Sequence, residues 1–365
     1  MSVDWTLAGV DVPWILGDAA EELAALRRSA TLVSLPHVSL VALTGAGATA
    51  WAGRLVSGGD QLRPGEGRHG LLLDDDGVVL ADVWLVARRD GIWLIGDGLS
   101  AEALLAVCAQ DAPAEVGVAL LSPGRAAWTL DGPFAWEVMA RYDSPGVIGL
   151  PPLTWYLTDD DTLVLRTGRT GEYGYLLLIP DDAEQAVVAA LETAGEPVEL
   201  RRAGAAVLAQ AALENFAFWP HAEGRWGLTP LELQLQWRLT SDSPARGVAA
   251  VRERRLSGAW RRRVSLVHGP ILRETVPVTD DDRVIGQILR AEPWQHGPGD
   301  VGLALLDLDH AHPGFSWRTP TGPATTLSAP LITNRSLFVR PQRHAWVDQA
   351  TLPAMIPRSL GEPVG

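Results

Sequence analysis

The sequence contains one carboxylate set between glycine-marked turns. Residues 166–180 read RTGRTGEYGYLLLIP, in which Gly168 and Gly171 mark turns, Glu172 follows, and an apolar strand begins. A turn of this kind can direct a side chain into a cavity rather than into bulk water. The two carboxylate oxygens can accept both donors of an edge that carries an N–H beside an exocyclic NH2. Pterins and guanines present that edge, so the segment predicts that Glu172 binds a flat, nitrogen-rich heterocycle.

The composition excludes several kinds of chemistry. The chain of 365 residues contains no lysine, so all 30 basic residues are arginines, and a mechanism that needs a lysine amine is ruled out. Cys108, the only cysteine, lies in the apolar segment LLAVCAQ, which predicts a buried structural thiol. A single cysteine also excludes disulfides and multi-cysteine metal sites within this chain. We expect no bound metal.

Charge and hydropathy indicate the kind of partner. The formal net charge of −14 argues against nucleic acid and anionic membranes, because binding to phosphates requires clustered cationic side chains. The N-terminus has no basic region followed by an apolar run, and no stretch reaches the ~18 apolar residues of a membrane span. We therefore expect a cytoplasmic protein that acts on a small molecule. The sequence does not indicate its oligomeric state.

Hydrophobic periodicity predicts two mixed units followed by an all-β region. Residues 18–32 place leucines and alanines at helical spacing behind an acidic first turn, with Asp18 as the N-cap. Strand-like runs follow, among them VSLVAL, HGLLL, GVVLADVWLVA and DGIWLIG. The same alternation is repeated between a helix at 100–110 and a helix at 182–194. Short strands with turn signals occupy the remainder and predict a small antiparallel barrel.

The motif RTGRTGEYGY resembles the RTG-x-TGE-x-G signature of the glycine cleavage T-protein (aminomethyltransferase) superfamily, in which the glutamate holds the pterin ring of folate. Further segments resemble the family in the same order over about 320 residues: SLPHVSLVALTG, GVVLADVWLV, TPLELQLQWRL and PLITNRSLFVR. The last of these resembles the closing strand of the family's barrel. The resemblance implies an α+β fold of two ferredoxin-like folate-binding halves plus a C-terminal antiparallel β-barrel, with a central hole where tetrahydrofolate enters. It places the folate-binding region at 1–252, divided near residue 115, and the barrel at 253–350.

Two positions depart from the family pattern: the catalytic acid, and a family arginine that falls at Ala209 in this sequence. Alignment of GVVLADV with the family's paired acids places Ala81 at the catalytic aspartate and Asp82 at the second acid. An alanine can neither polarise a folate nitrogen nor accept a proton, so the resemblance implies that standard aminomethyl transfer is altered. Asp82 takes the catalytic place only if the strand register slips by one residue, which turns a side chain to the other sheet face. A structural hydrogen-bonding role for Asp82 is the alternative.

The resemblance assigns further positions to the folate site. His69 stands at an aromatic family position, where it can stack on the pterin and carry a proton, or merely stabilise a turn. His37 occupies the histidine of the DVSHM-like strand, as a catalytic group or as a buried structural one. Asp97 falls at an asparagine beside the pterin, with a loop cap as the alternative. The remaining candidates for cofactor binding are Val38, Tyr175 and Trp237.

Two classes of function follow from these residues. The first is an enzyme that binds tetrahydrofolate, or a one-carbon derivative of it, and moves a methyl, methylene or formyl unit to or from a small molecule. Correct orientation of two reactants can contribute roughly 7–11 kcal/mol to such a transfer, so the loss of one acid need not abolish catalysis. The second is a non-catalytic folate-binding or scaffold protein, or a related pocket that has taken another ligand.

Overall fold

The first part of the chain forms a hairpin, three α-helices and a sheet. The computed structural model describes residues 3–360. Its first elements are β1 (Val3–Leu7), β2 (Val10–Ile15), α1 (Ala19–Arg28), β3 (Thr31–Ser34), β4 (Ser39–Thr44), α2 (Ala48–Leu55), β5 (Gly67–Leu73), β6 (Val79–Ala87), β7 (Gly91–Asp97), α3 (Ala101–Ala109) and β8 (Gly117–Leu120). The predicted cap of α1 is confirmed, since the Asp18 side chain accepts a hydrogen bond from the Glu21 backbone N–H at 2.9 Å. That bond satisfies one of the free N–H groups at the helix start.

The first sheet is antiparallel, with the strand order β5-β6-β7-β4-β8. Along β6 the side chains alternate between its two faces. Ala81, Val83 and Leu85 pack with residues of α2 and α3, whereas Trp84 and Val86 pack toward the second sheet. The sheet therefore has one face covered by helices and one face turned to the other half of the molecule.

The second half repeats this arrangement. Its elements are β9 (Arg125–Asp131), α4 (Ala135–Tyr142), β10 (Trp155–Leu157), β11 (Leu163–Leu165), β12 (Gly174–Pro180), α5 (Glu184–Gly195), β13 (Arg201–Ala203) and α6 (Ala206–Asn215). The strand order is β10-β11-β12-β9-β3-β13. Because β3 of the N-terminal segment pairs with β9 and β13, the second sheet contains one strand from the N-terminal segment in addition to its own five. The first sheet ends with β8 at residue 120, so the chain passes into the second half at 121–124.

The C-terminal part is a closed barrel. It follows α7 (Val248–Leu256) and contains β14 (Arg262–Gly269), β15 (Pro277–Asp280), β16 (Arg283–Pro293), β17 (Asp300–Asp307), β18 (Ser316–Thr319) and β19 (Gly322–Leu327). The order β14-β17-β16-β15-β18-β19 closes because β14 also pairs with β19. Residues such as Val267, Ile288 and Leu306 fill the interior. The predicted fold class, two α+β halves and an antiparallel barrel, is confirmed.

The segment after the barrel differs from expectation. PLITNRSLFVR was expected to close the barrel, but β20 (Ile332–Thr333) pairs with β21 (Ile356–Pro357) instead. The residues that follow β20 return to the second half, where Trp346 packs edge-on against Phe134. Within residues 3–360, no helix combines the length and the apolar character needed to cross a membrane.

Candidate functional site

Two buried carboxylates face each other on neighbouring strands. Asp82 of β6 and Asp97 of β7 are direct register partners, and neither is accessible to solvent. Strand alternation places Asp82 on the same face as Trp84, toward the second sheet, whereas Ala81 is packed in the core beneath α2 and α3. Asp82 therefore faces the space between the halves without any register slip. Residue 81, which the alignment put in the catalytic place, points away from that space.

Arg169, from the glycine-marked loop before β12, binds both acids. Its Nε and Nη2 atoms donate to Oδ2 of Asp82 at 3.1 and 2.9 Å, and its Nη1 atom donates to Oδ2 of Asp97. The Cζ atom lies 4.5 Å from the ring centre of Trp84 and 5.6 Å from that of Trp219. A planar cation is thus held at its edge by carboxylates and at its faces by indoles, both of which attract a guanidinium.

Further cationic and imidazole groups surround Asp82. Arg238 donates from Nη1 to Oδ1 at 2.7 Å, and His69 Nε2 lies 2.7 Å from the same oxygen. The His69 ring stacks on Trp84 with 4.6 Å between the ring centres. Burial by itself raises the pKa of Asp82, but His69, Arg238 and Arg169 outweigh it and hold that pKa below its usual range. Burial also lowers the pKa of His69. Asp82 is therefore an ionised acceptor.

Two histidines complete the surroundings of Asp97. His221, in the loop after α6, has its Nε2 atom 2.6 Å from Oδ1 of Asp97, and His37 has its Nε2 atom 3.5 Å from the same oxygen. Burial raises the pKa of Asp97, but Arg169, His221 and His37 together hold it below its usual range. Burial lowers the pKa of His37 to about 4. The structure thus brings His37, His69, Asp82 and Asp97 into one connected cluster around Arg169.

A small cavity adjoins this cluster. Its walls come from both halves: Leu35, Val38, Trp84, Thr129, Asp131, Thr167, Gly168, Arg169, Leu176, Leu208 and Trp219. The free volume is about 30 Å³, enough for about one water molecule, whereas small-molecule pockets run to roughly 300–1,000 Å³. With Arg169 in this position the central hole cannot accept a pterin ring.

Asp131 is the acid of this cavity that sequence reasoning missed. It ends β9, is almost fully buried, and accepts hydrogen bonds from the hydroxyls of Thr129 and Thr170. Burial raises the pKa of Asp131 to about 6, against the opposing effect of those two hydroxyls. Asp131 can therefore gain or lose a proton near neutral pH. Its sequence signal was weak, since DGP after a strand is typical of a turn.

A second, larger cavity lies beside the first. It has a volume of about 520 Å³ and shares Leu35 and Val38 with the small cavity. His37, Ser100 and Arg125 also line it. Val38, an expected cofactor contact, thus lines both spaces, as Leu35 does.

Glu172 does not line the central cavity. Its Oε2 atom accepts from the backbone N–H of Ser336 at 2.8 Å and from the Ser336 hydroxyl at 2.6 Å. Its Oε1 atom accepts from the backbone N–H of Arg335 at 3.1 Å and from Arg27 at 3.4 Å. These donors occupy both oxygens, so the carboxylate expected to hold the heterocycle holds the segment after β20 instead.

Two further expected contacts lie away from the cavity. Tyr175 points to the opposite face of β12, into the core formed with α4 and α5, while its neighbour Leu176 lines the cavity. Trp237 is 72% exposed, whereas the next residue, Arg238, reaches Asp82. In both places the side chain that reaches the cavity or its cluster is one residue away from the expected one. In β12 the cause is the alternation of side chains along a strand, whereas Trp237 and Arg238 lie in a single helical turn, Gln236–Arg238. Besides Asp131, sequence reasoning missed Arg169 and Arg238. The available signals were the position of Arg169 inside the RTG-x-TGE motif and that of Arg238 inside TPLELQLQWRL.

Comparisons with known proteins agree with this architecture. Residues 11–243 match the family model described as the GCVT N-terminal domain. The aminomethyltransferase of Bacillus velezensis is 23% identical over 84% of this chain and 86% of that protein. The aminomethyltransferase of Bordetella avium is 30% identical, but the match covers 49% of this chain and 51% of that protein, so the chain spans about half the length of this relative.

A solved structure shows the same fold. The glycine cleavage system aminomethyltransferase T from Bartonella henselae superimposes with a TM-score of 0.78, at 21% identity, over 90% of this chain and 94% of that one. At this identity the likeness establishes the fold. The family match, in contrast, spans more than half of the sequence. The chain therefore belongs to the glycine cleavage T-protein (aminomethyltransferase) family.

Proposed function

We propose that this protein is a tetrahydrofolate-dependent one-carbon transferase that acts on a small molecule. The pterin ring would occupy the central cavity, with its N–H-rich edge on Asp82 and Asp97. The observation that carries the proposal is the position of the Arg169 guanidinium, which both carboxylates bind and which Trp84 and Trp219 flank.

The guanidinium and the pterin edge have the same recognition chemistry. Each is planar and presents adjacent N–H donors that a carboxylate can accept in pairs. Each also presents a face on which an indole can stack. Arg169 is therefore an internal ligand of a site suited to such a ring, and the ring must displace it. Gly168 and Gly171 flank the residue pair that would move, and Gly171 already has a φ of +74°, which favours glycine.

The remaining groups fit a transfer reaction. Asp82 is ionised, so it can stabilise the positive charge that a folate nitrogen gains when its lone pair bonds to the incoming carbon unit, before the nitrogen loses its proton. Asp131, on the other wall, can carry a proton near neutral pH, and a positioned acid or base contributes roughly 10²–10⁴-fold to a rate. The cavity of about 520 Å³ beside Val38 offers room for the second substrate.

Calorimetric titration with tetrahydrofolate tests the proposal. Arg169→Ala opens the cavity and should bind tetrahydrofolate at least 10-fold more tightly than the wild type. Asp97→Asn should weaken binding by a similar factor, since it removes a charged acceptor. Arg318→Ala, a matched change in the barrel at an arginine side chain that is 76% exposed, should have no effect. Arg169→Gln keeps an amide N–H donor for Asp82 and Asp97. It replaces Arg169→Ala in the titration if the alanine variant is poorly folded.

A second function is favoured by a different observation. Asp82, Asp97 and Glu172 all have their oxygens occupied within the protein, and the cavity measures only about 30 Å³. A folded protein that kept the family scaffold without catalysis would show this arrangement. If neither the wild type nor a folded Arg169 variant binds tetrahydrofolate, the transferase proposal fails, and so does a non-catalytic function that depends on folate.

A further inference from the structure

Three potential metal ligands converge at one end of the first sheet. They come from separate segments: His37 between β3 and β4, Asp97 at the end of β7, and His221 after α6. Their ligand atoms all lie within 4.8 Å of one another. The two imidazole rings meet edge to face with 4.9 Å between their centres. Folding therefore places two imidazoles and one carboxylate around a common point.

His37 is the unexplained member of this group. It is 1% exposed, and within residues 3–360 neither of its ring nitrogens has a hydrogen-bond partner. Leaving a buried polar group unpaired costs about 1–3 kcal/mol, and such a group calls for an explanation such as an ion. Its Nε2 atom is directed at Asp97, 3.5 Å from Oδ1, the oxygen that His221 also approaches at 2.6 Å.

We propose that His37, Asp97 and His221 bind one divalent transition-metal ion, of which Zn²⁺ is the best-matched example. Imidazole nitrogen and carboxylate oxygen both bind Zn²⁺ at about 2.0–2.2 Å, so ligand atoms around a tetrahedral ion lie about 3.3 Å apart. The separation of 3.5 Å between His37 and Asp97 is close to that spacing. The 2.6 Å between His221 and Asp97 is a hydrogen bond, which would lengthen by about 0.7 Å when the ion replaces its proton.

The surroundings leave one coordination position open. Three protein ligands with a free fourth position are characteristic of catalytic zinc sites. His37 also borders the cavity of about 520 Å³, but its ring nitrogens are buried, so an ion reaches them only when the side chains around them move. Arg169 binds the other oxygen of Asp97 and orients that carboxylate, as outer groups commonly do for metal ligands. Its positive charge weakens the attraction for the ion, so we expect a moderate affinity.

Metal titration of the full, tag-free chain tests the site. After removal of metal with a chelator, Co²⁺ should bind at one equivalent and show the visible absorption of a four-coordinate ion, and Zn²⁺ should displace it. His37→Ala and His221→Ala should each weaken Zn²⁺ binding at least 10-fold. His310→Ala, a change in the barrel far from the cluster, should bind like the wild type. No folate is present, so the result is independent of the proposed transferase function.

Thermal unfolding gives a second readout. An ion that binds only the folded state raises the unfolding midpoint, so Zn²⁺ should raise it in the wild type and in His310→Ala but not in folded His221→Ala. The proposal is overturned if the wild type binds no stoichiometric Co²⁺ or Zn²⁺, or if folded His37→Ala and His221→Ala bind as tightly as the wild type. Should either alanine variant not fold, His37→Gln and His221→Gln replace them in the same assays.

Discussion

Asp82 and Asp97 lie directly opposite each other on neighbouring antiparallel strands, and the guanidinium of Arg169 binds both. Like charges directly opposite each other on a sheet repel, and burial of each carboxylate costs several kcal/mol. The pair persists because Arg169, Arg238 and the histidines supply compensating donors and charge. A group that displaces Arg169 must therefore supply N–H donors to both acids.

The first prediction concerns the contribution of this cluster to the free energy of unfolding. Asp82→Asn leaves Arg169 and Arg238 buried with one anion fewer, and breaking a buried ion pair costs about 3–5 kcal/mol. Urea unfolding at neutral pH should show that the free energy of unfolding of Asp82→Asn is lower than that of the wild type by an amount of that size. Asp242→Asn, at an aspartate side chain that is 93% exposed, should change the free energy of unfolding by less than about 0.5 kcal/mol. A loss below 1 kcal/mol in Asp82→Asn would show that the cluster is not a stabilising unit.

Much of the fold could be predicted from the sequence because its signals are local. The cap at Asp18 and the helical spacing behind it produce α1 where expected, and short strands separated by turn signals predicted the barrel. The insertion of β3 into the second sheet could not be predicted, since β3 pairs with β9 and β13, about 100 and 170 residues away. Hydrophobic alternation reports that a strand is buried but not which sheet it joins.

The site was harder to predict than the fold because it depends on which way adjacent side chains point. Ala81 and Asp82 occupy opposite faces of β6, so a shift of one residue in an alignment exchanges the positions assigned to them. Glu172 has the right chemistry for a heterocycle, but the N–H groups of Arg335 and Ser336 reach it from a segment more than 160 residues later. No residue within RTGRTGEYGY indicates that Glu172 binds the backbone N–H groups of Arg335 and Ser336.

The second prediction tests the structural role of Glu172. Glu172→Gln replaces an acceptor oxygen by an amide that faces the donors of Ser336, and hydrogen bonds to charged groups are worth roughly 1.5–3 kcal/mol. We expect a loss of that order in the free energy of unfolding and faster proteolysis within residues 334–360. The affinity of Arg169→Ala for tetrahydrofolate should not change when Glu172→Gln is added. If folded Glu172→Gln instead loses folate binding with unchanged stability, the sequence-based role of Glu172 is restored.

The third prediction concerns Cys108. The side chain is buried on α3, and burial raises the pKa of its thiol to about 12. Because the thiolate is the reactive form, a thiol reagent should modify the native protein at least 100-fold more slowly than the urea-unfolded chain. The unfolded chain should yield one thiol per molecule, which serves as the internal control. Rapid modification of the native protein would place Cys108 in an accessible, electropositive setting instead.

The fourth prediction uses the pKa of Asp131, which burial raises from 3.8 to about 6. Between these values the native protein holds a proton that the unfolded chain has lost, so stability falls as pH rises through this window and levels off above it. A shift of this size corresponds to roughly 3 kcal/mol. Asp131→Asn cannot ionise, so its stability relative to the wild type should rise by about that amount between pH 4 and pH 7.

Urea unfolding of both proteins at several pH values measures this difference, and all other titrating groups cancel in it. Asp281→Asn changes an aspartate side chain that is 89% exposed. The free energy of unfolding of this variant should change with pH as that of the wild type does. Parallel curves for Asp131→Asn as well would mean that Asp131 is ionised throughout the range, because a group with the same pKa in both states leaves no trace in stability. Asp131 could then carry no proton near neutral pH, and the transfer reaction proposed for the central cavity would lose its acid.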